Sequence, residues 1–268
     1  MSLTRRGLLV SAAGTATLVA AAGCTAGSPT SSQGTMPGSI PDPTSVPGSE
    51  SSSASAAGAR PTPPATPRHL PPEVVRGPST EHAVALTFHG AGPAGVAQQL
   101  LAEVERAGAR VTVLAVGTWL GEQPGMAGRI LDGGHDLGNH TEHHGPMAQM
   151  DDATVYAEIA QCAARLQALT GSIRTWFRPS QMHNSTPLVR AAARRAGYPT
   201  VLSYDVDSLD YTDPGPDAIT RTVLRAVGDG SIVSMHLGHP DTISALPRIL
   251  DALRTRGLRV VTATELLG

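Results

Sequence analysis

The order of apolar runs predicts a parallel α/β fold, either an open doubly wound sheet or a closed barrel. Three observations carry that expectation. Short strand-like apolar runs alternate with helical patterns six or seven times over roughly 190 residues. Glycines stand where the helical patterns should stop, at Gly108, Gly133-Gly134, Gly171, Gly197 and Gly257. The polar side chains able to do chemistry follow the strand runs, at the end where ligands gather in parallel sheets.

Taken in order, the chain begins with a segment that is not fold. Thr4-Arg5-Arg6-Gly7-Leu8-Leu9-Val10 reads as a twin-arginine export signal, and Ala21-Ala22-Gly23-Cys24 as a lipobox. The expectation is cleavage before Cys24, a lipid on its thiol, and an exported chain anchored to the outer face of a bacterial cytoplasmic membrane. Residues 25–78 hold twelve of the 22 prolines, lack apolar periodicity, and read as a disordered tether. The folded domain is expected over 79–268.

Within it, Ala83–Phe88 reads as a buried strand and residues 94–108 as a helix. Val111–Val116 is a second strand and Trp119 to Leu131 a helix. Asp151–Thr170 is a long helix that Asp151 or Asp152 can cap. Arg174–Phe177 reads as a strand, Pro187–Ala196 as a helix, Thr200–Tyr204 as a strand and Asp217–Val227 as a helix. Ser231–His236 is a strand, Thr242–Arg256 a helix and Arg259–Thr262 the last strand.

Composition removes several classes of function. All 20 basic residues are Arg, so Schiff-base and P-loop lysine chemistry are excluded. The arginines are scattered, which argues against a nucleic-acid footprint, and no Gly-rich nucleotide loop is present. With Cys24 lipidated, Cys162 alone remains, so no intramolecular disulfide is available.

The chemistry concentrates in Gly133-Gly134-His135-Asp136-Leu137-Gly138-Asn139-His140-Thr141-Glu142-His143-His144. Four of the ten histidines lie here, and the four-residue spacing of His140 and His144 suits a chelating pair. His89 follows the first strand, Arg178 the Trp176-Phe177 run, Asp205 and Asp207 the Thr200 run, and His236 ends the Ser231 run.

This set resembles the NodB-homology polysaccharide deacetylases, carbohydrate esterase family 4, over about residues 80–268. The resemblance implies a distorted, incomplete (β/α) barrel that removes acetyl groups from sugar polymers with a divalent metal, usually zinc. Gly134–His144 is similar to the His-Thr-x-x-His metal motif, with His140 and His144 as ligands. Phe177-Arg178-Pro179 is similar to the motif whose Arg braces the catalytic base. Tyr204–Tyr211 is similar to the segment that supplies an aromatic wall, so Tyr204, Asp205, Tyr211 and Trp176 are the expected substrate contacts. Val233-Ser234-Met235-His236 resembles the final motif, whose His is the general acid.

The first motif departs from the family's Thr-Phe-Asp-Asp-Gly. Here it reads Thr87-Phe88-His89-Gly90-Ala91, with His89 at the base position and Gly90 at the ligand position. His89 is then either a third metal ligand or the base. If it ligates, Asp205, Asp207 or Glu142 must supply the base. If it is the base, His239, His143 or Asp136 must complete the metal site. The expected catalytic set is His89, His236, Arg178 and Asp207, and the expected metal set His140, His144 and His89. The implied substrate is an amino-sugar polymer such as peptidoglycan, and the alternative is a module that binds glycan without turnover.

Overall fold

The structure, a computed structural model, describes residues 70–268. The twin-arginine stretch, Cys24 and most of the expected tether lie outside the described residues.

The strands are β1 (Glu73–Val74), β2 (Ala83–Gly90), β3 (Thr112–Ala115), β4 (Asp136–Asn139), β5 (Val201–Leu202), β6 (Val206–Asp207), β7 (Ile232–His236) and β8 (Arg259–Val261). The helices are α1 (Ala94–Arg106), α2 (Gly117–Glu122), α3 (Gly125–Asp132), α4 (Asp152–Thr170), α5 (Pro187–Arg195), α6 (Pro216–Ala226), α7 (Pro240–Thr255) and α8 (Ala263–Leu267). The main sheet runs β4-β3-β2-β7-β6, with β8 beside the start of β2 and a separate β1-β5 pair. Every strand pair is parallel. Between β4 and β5 the wall is one residue wide, because Phe177 alone bridges Asn139 and Val201. This is an α/β fold with a distorted, incomplete barrel.

Side-chain alternation builds two cores around β2. Val84, Leu86 and Phe88 face the helical layer, where they join Leu100, Leu101 and Val104 of α1 and Leu246, Ile249 and Leu253 of α7. Ala83 and Ala85 face inward with Leu114, Trp176, Tyr204 and Val261. Both faces are buried, so the strand reads as an unbroken apolar run. Helix α8 adds Ala263, Leu266 and Leu267 to the inner core. Thr262 and Glu265 form its capping box. A third cluster packs α4 and α5 around Phe177 and Tyr198.

Long elements follow the sequence reading and short ones depart from it. Asp151 caps α4 by accepting from Thr154 N, and Gly171 ends it at φ 75°. The expected Trp119–Leu131 helix is two helices, broken at Gln123-Pro124, since proline cannot continue a hydrogen-bonded turn. Arg174–Phe177 is no strand: only Phe177 pairs. The domain also starts earlier than residue 79. Strand β1 pairs with β5, the Glu73 carboxylate accepts from Ser185 N, Ser203 Oγ and Arg190, and Gly77 N donates to Gly230 O. A two-residue strand has no periodicity to read, and its flanking prolines resemble a linker.

Candidate functional site: a three-histidine cluster beside a His-Asp pair

The parallel register brings the chemistry to one end of the sheet. His89 at the end of β2 is the register partner of His236 at the end of β7. Asn139, the last residue of β4, delivers His140. The Phe177 bridge delivers Arg178, and β6 delivers Asp207.

His89, His140 and His144 each offer a ring nitrogen, and these atoms lie within 4.8 Å of one another. Ring centroids are 4.2 Å apart for His89 and His140, and 4.8 Å for His140 and His144. His140 is fully buried. Its Nδ1–H donates to the Arg178 carbonyl at 2.9 Å, which leaves the Nε2 lone pair free. That nitrogen is buried and meets no protein partner. An orphaned buried acceptor is destabilising unless a ligand satisfies it. The group therefore fits a divalent metal, and its donors are those that transition metals favour. Burial pulls the His140 pKa well below the ordinary imidazole value, helped by the neighbouring His144 charge. Burial, then the His140 charge and the Arg178 guanidinium, do the same to His89. Burial lowers His144 as well. All three are neutral near pH 7, as ligation requires.

His89 is held from the side. Arg178 Nη1 lies 3.2 Å from His89 Nε2, and a guanidinium can only donate, so that nitrogen accepts. His89 can join a metal only by exchanging this contact. Arg178 is itself fully buried, with Nε and Nη2 donating to the Leu202 and Ser203 carbonyls. Desolvation pushes its pKa down to about 10. Gly90 offers no room for the missing family carboxylate. A Cβ there would stand 2.9 Å from Val113 Cγ1 and 3.0 Å from Ala115 Cα.

The loop that carries His140 and His144 is under backbone strain. Thr141 has φ 69°, a region that β-branched residues rarely enter, and His144 has φ 58°. Hydrogen bonds hold it there. Asn139 Oδ1 accepts from Thr141 N, and Thr141 Oγ1 accepts from His144 N. Gly117 N and Thr118 N, at the start of α2, donate to the Thr141 and Glu142 carbonyls.

His236 carries the second feature. Its Nδ1 lies 2.7 Å from Asp210 Oδ1, and its backbone N–H donates to Oδ2 at 2.8 Å. Thr242 Oγ1 donates to the same Oδ2. Asp210 is fully buried. Burial alone would raise its pKa, but the His236 ring, its charge and Thr242 outweigh that and hold the carboxyl below its usual range. A carboxylate on Nδ1 fixes the tautomer, so Nε2 is the nitrogen that acts outward. The sequence reading passed over Asp210. Three aspartates lie within six residues, and nothing in their spacing tells which one is buried.

Several expected site residues sit elsewhere. Asp205 is not a substrate contact: its carboxylate is bound by Arg76, Ser231 Oγ and Ile232 N. Trp176 belongs to the inner core, with Nε1–H donating to Thr264 Oγ1. Tyr204 is also buried, its ring lying 5.1 Å from the Arg178 guanidinium carbon and 4.5 Å from the His183 ring. His183 is exposed and its ring donates to the Tyr204 carbonyl. Glu142 is paired with Arg165 of α4 and is no base. Asp136 accepts from Thr264 N and lies outside the three-histidine group. His239 pairs with Asp213 and lies edge-on to His236 at 5.7 Å. Asp207 accepts from Leu209 N and is the register partner of Ser234, whose Oγ is 3.4 Å from His89 Nε2. Tyr211 is half-exposed, with its ring 5.4 Å from His236.

Residues 76–201 match the family model described as polysaccharide deacetylase. A solved family 4 carbohydrate esterase from Streptomyces lividans, in complex with acetate, is 30% identical with a TM-score of 0.62; the match covers 66% of this chain and 91% of that one. The chain belongs to the polysaccharide deacetylase family. The deacetylases of carbohydrate esterase family 4 are metal-dependent, and the three-histidine group is where this member could hold an ion. The peptidoglycan-N-acetylglucosamine deacetylase PgdA of Listeria monocytogenes is 29% identical over 206 residues, 75% of this chain. The chain spans 43% of that relative's length. A family 4 pseudoenzyme from Bacillus anthracis is 26% identical with a TM-score of 0.70, covering 74% of this chain and 70% of that one. A mutant of that protein is described as having restored enzymatic activity.

Proposed function

We propose that this deacetylase-family chain is an exported, lipid-anchored, zinc-dependent hydrolase that removes acetyl groups from an amino-sugar polymer of the cell envelope, such as peptidoglycan. The observation that carries the reading is the unpartnered, buried His140 Nε2 in a three-histidine group, one ring away from the His236–Asp210 pair. His140, His144 and His89 are the residues that would hold the ion. Bound there, zinc would act as a Lewis acid toward an acetyl carbonyl and toward water.

The protein's own groups account for the proton traffic. Asp210 accepts from His236 Nδ1–H, so a proton on His236 Nε2 faces outward and is delivered to the leaving nitrogen as the C–N bond breaks. With His89 on the ion, its contact with Arg178 is exchanged, and Asp207, beside Ser234, is the carboxylate left to take the water proton. Tyr211 presents an exposed ring next to His236, a surface on which a sugar's C–H face can stack.

Export and anchoring rest on Arg5-Arg6 and Cys24. Cys24→Ala should abolish incorporation of labelled palmitate; a labelled variant overturns the anchor. The chemistry is tested by acetate release from peptidoglycan or chitooligosaccharide with added zinc. Release lost in His140→Ala and His144→Ala supports the enzyme.

A second reading is favoured by the first motif. Both family carboxylates are missing and Gly90 has no space for one, so the chain can be a glycan-binding module without turnover. Glycan binding without acetate release, at saturating zinc, decides for that reading.

A further inference from the structure

We propose that Glu158, on α4, is a positioning residue for the metal site and sets the affinity of the His140–His144 loop for its ion. The inference rests on the metal-site reading above. The two expected ligands are joined by Thr141-Glu142-His143, and α4 grips the last two of these three residues. Glu158 Oε2 accepts from His143 N at 2.8 Å, and Glu158 Oε1 lies 2.7 Å from His143 Nδ1. The Glu158 backbone carbonyl accepts from Glu142 N at 3.0 Å. One residue of α4 therefore makes three bonds to the segment between the ligands.

Two features make this more than packing. Glu158 is buried, and its carboxylate oxygens bond to the backbone N–H and ring of the loop's His143 rather than to an arginine, so they are satisfied only while the loop keeps this conformation. The conformation itself is strained: Thr141 and His144 are both at positive φ, with the Glu158 contacts between them. Strained non-glycine backbone persists only where surrounding bonds over-determine it. With the clamp released, the loop relaxes toward ordinary dihedrals, and His144 turns away from His140. Outer partners of this kind typically change metal affinity about 10–100-fold.

The test measures zinc affinity of the full chain by competition with a chromophoric chelator, alongside the melting temperature without metal. Glu158→Met keeps the volume and removes both acceptors. It should weaken zinc binding about tenfold or more while the metal-free melting temperature stays near that of the unaltered chain. Glu158→Gln keeps an oxygen for the His143 N–H and should stay within about threefold of the unaltered chain. His143→Ala removes the ring contact but keeps the backbone one, and should also stay close. Should Glu158→Met not fold, Glu158→Asp, a methylene too short, takes its place with the same expectation. Unchanged zinc affinity in Glu158→Met overturns the proposal, as does equal weakening by Glu158→Gln. His140→Ala is the control. If it binds zinc as well as the unaltered chain, the metal site is wrong; if it fails to bind while Glu158→Met is unaffected, only the clamp is wrong.

Discussion

At the scale of single residues, the site depends on which atom of each imidazole is free. His140 and His236 both spend Nδ1–H on an oxygen and leave Nε2 outward, yet their partners differ. A carbonyl fixes a neutral ring, which suits a ligand. A buried carboxylate supports a ring that must carry and give up a proton. His140→Ala should therefore abolish zinc retention after dialysis, read by metal analysis. Asp210→Asn keeps the shape but not the charge, and should lower kcat about 10²-fold or more with zinc content unchanged. Equal kcat in Asp210→Asn would remove the pair from the mechanism. His140, His144, His89 and His236 were legible because histidines at strand ends are few and their spacing has a chemical meaning. Asp210 was not, because burial belongs to the folded chain: Asp205, Asp207 and Asp210 look alike until β7 and α7 close over one of them.

At the scale of elements, β2 and β3 explain why a carboxylate at position 90 would crowd its neighbours. Gly90 pairs with Ala115, and the strand surface beside it is filled by Val113 and Ala115. Gly90→Asp should cost about 1–3 kcal/mol through overpacking, read as a lower urea midpoint with an unchanged slope. The elements that sequence reading located best are long and periodic, α4 and β2 above all. The misread ones are short. Phe177 is a one-residue bridge and β1 has two residues; their identity comes from the strands they meet.

At the scale of the whole molecule, the chain before β2 is a working part of the domain. Glu73 ties β1 to the Ser185 turn, Ser203 and Arg190. A chain starting at residue 79 should unfold at lower urea than one starting at residue 62; equal midpoints would return this stretch to the tether. The buried imidazoles also set a pH dependence. His89 and His140 have folded-state pKa values well below the ordinary 6.5, because burial disfavours the charged ring. Below that pH the unfolded chain binds protons that the folded chain does not. Stability is thus intact above about pH 6.5 and falls as pH drops, by up to about 1.4 kcal/mol per pH unit for each ring. Thermal scans in chelator should show the metal-free melting temperature falling between pH 7.5 and 5. His140→Asn should flatten that fall, and an unflattened curve would mean that other groups cause it.

What the sequence by itself determined was the fold class, the family, the end of the sheet where the chemistry lies and the histidines that form it. Each is written in local periodicity or in fixed spacing along the chain. Only the tertiary structure decided that Trp176, Tyr204 and Asp205 serve the core, that Asp210 backs His236, and that Arg178 reaches across to His89. Those pairings join residues up to 129 positions apart, and no local pattern specifies them. They exist because parallel strands bring distant ends together, and because a buried charge or lone pair must find its partner there.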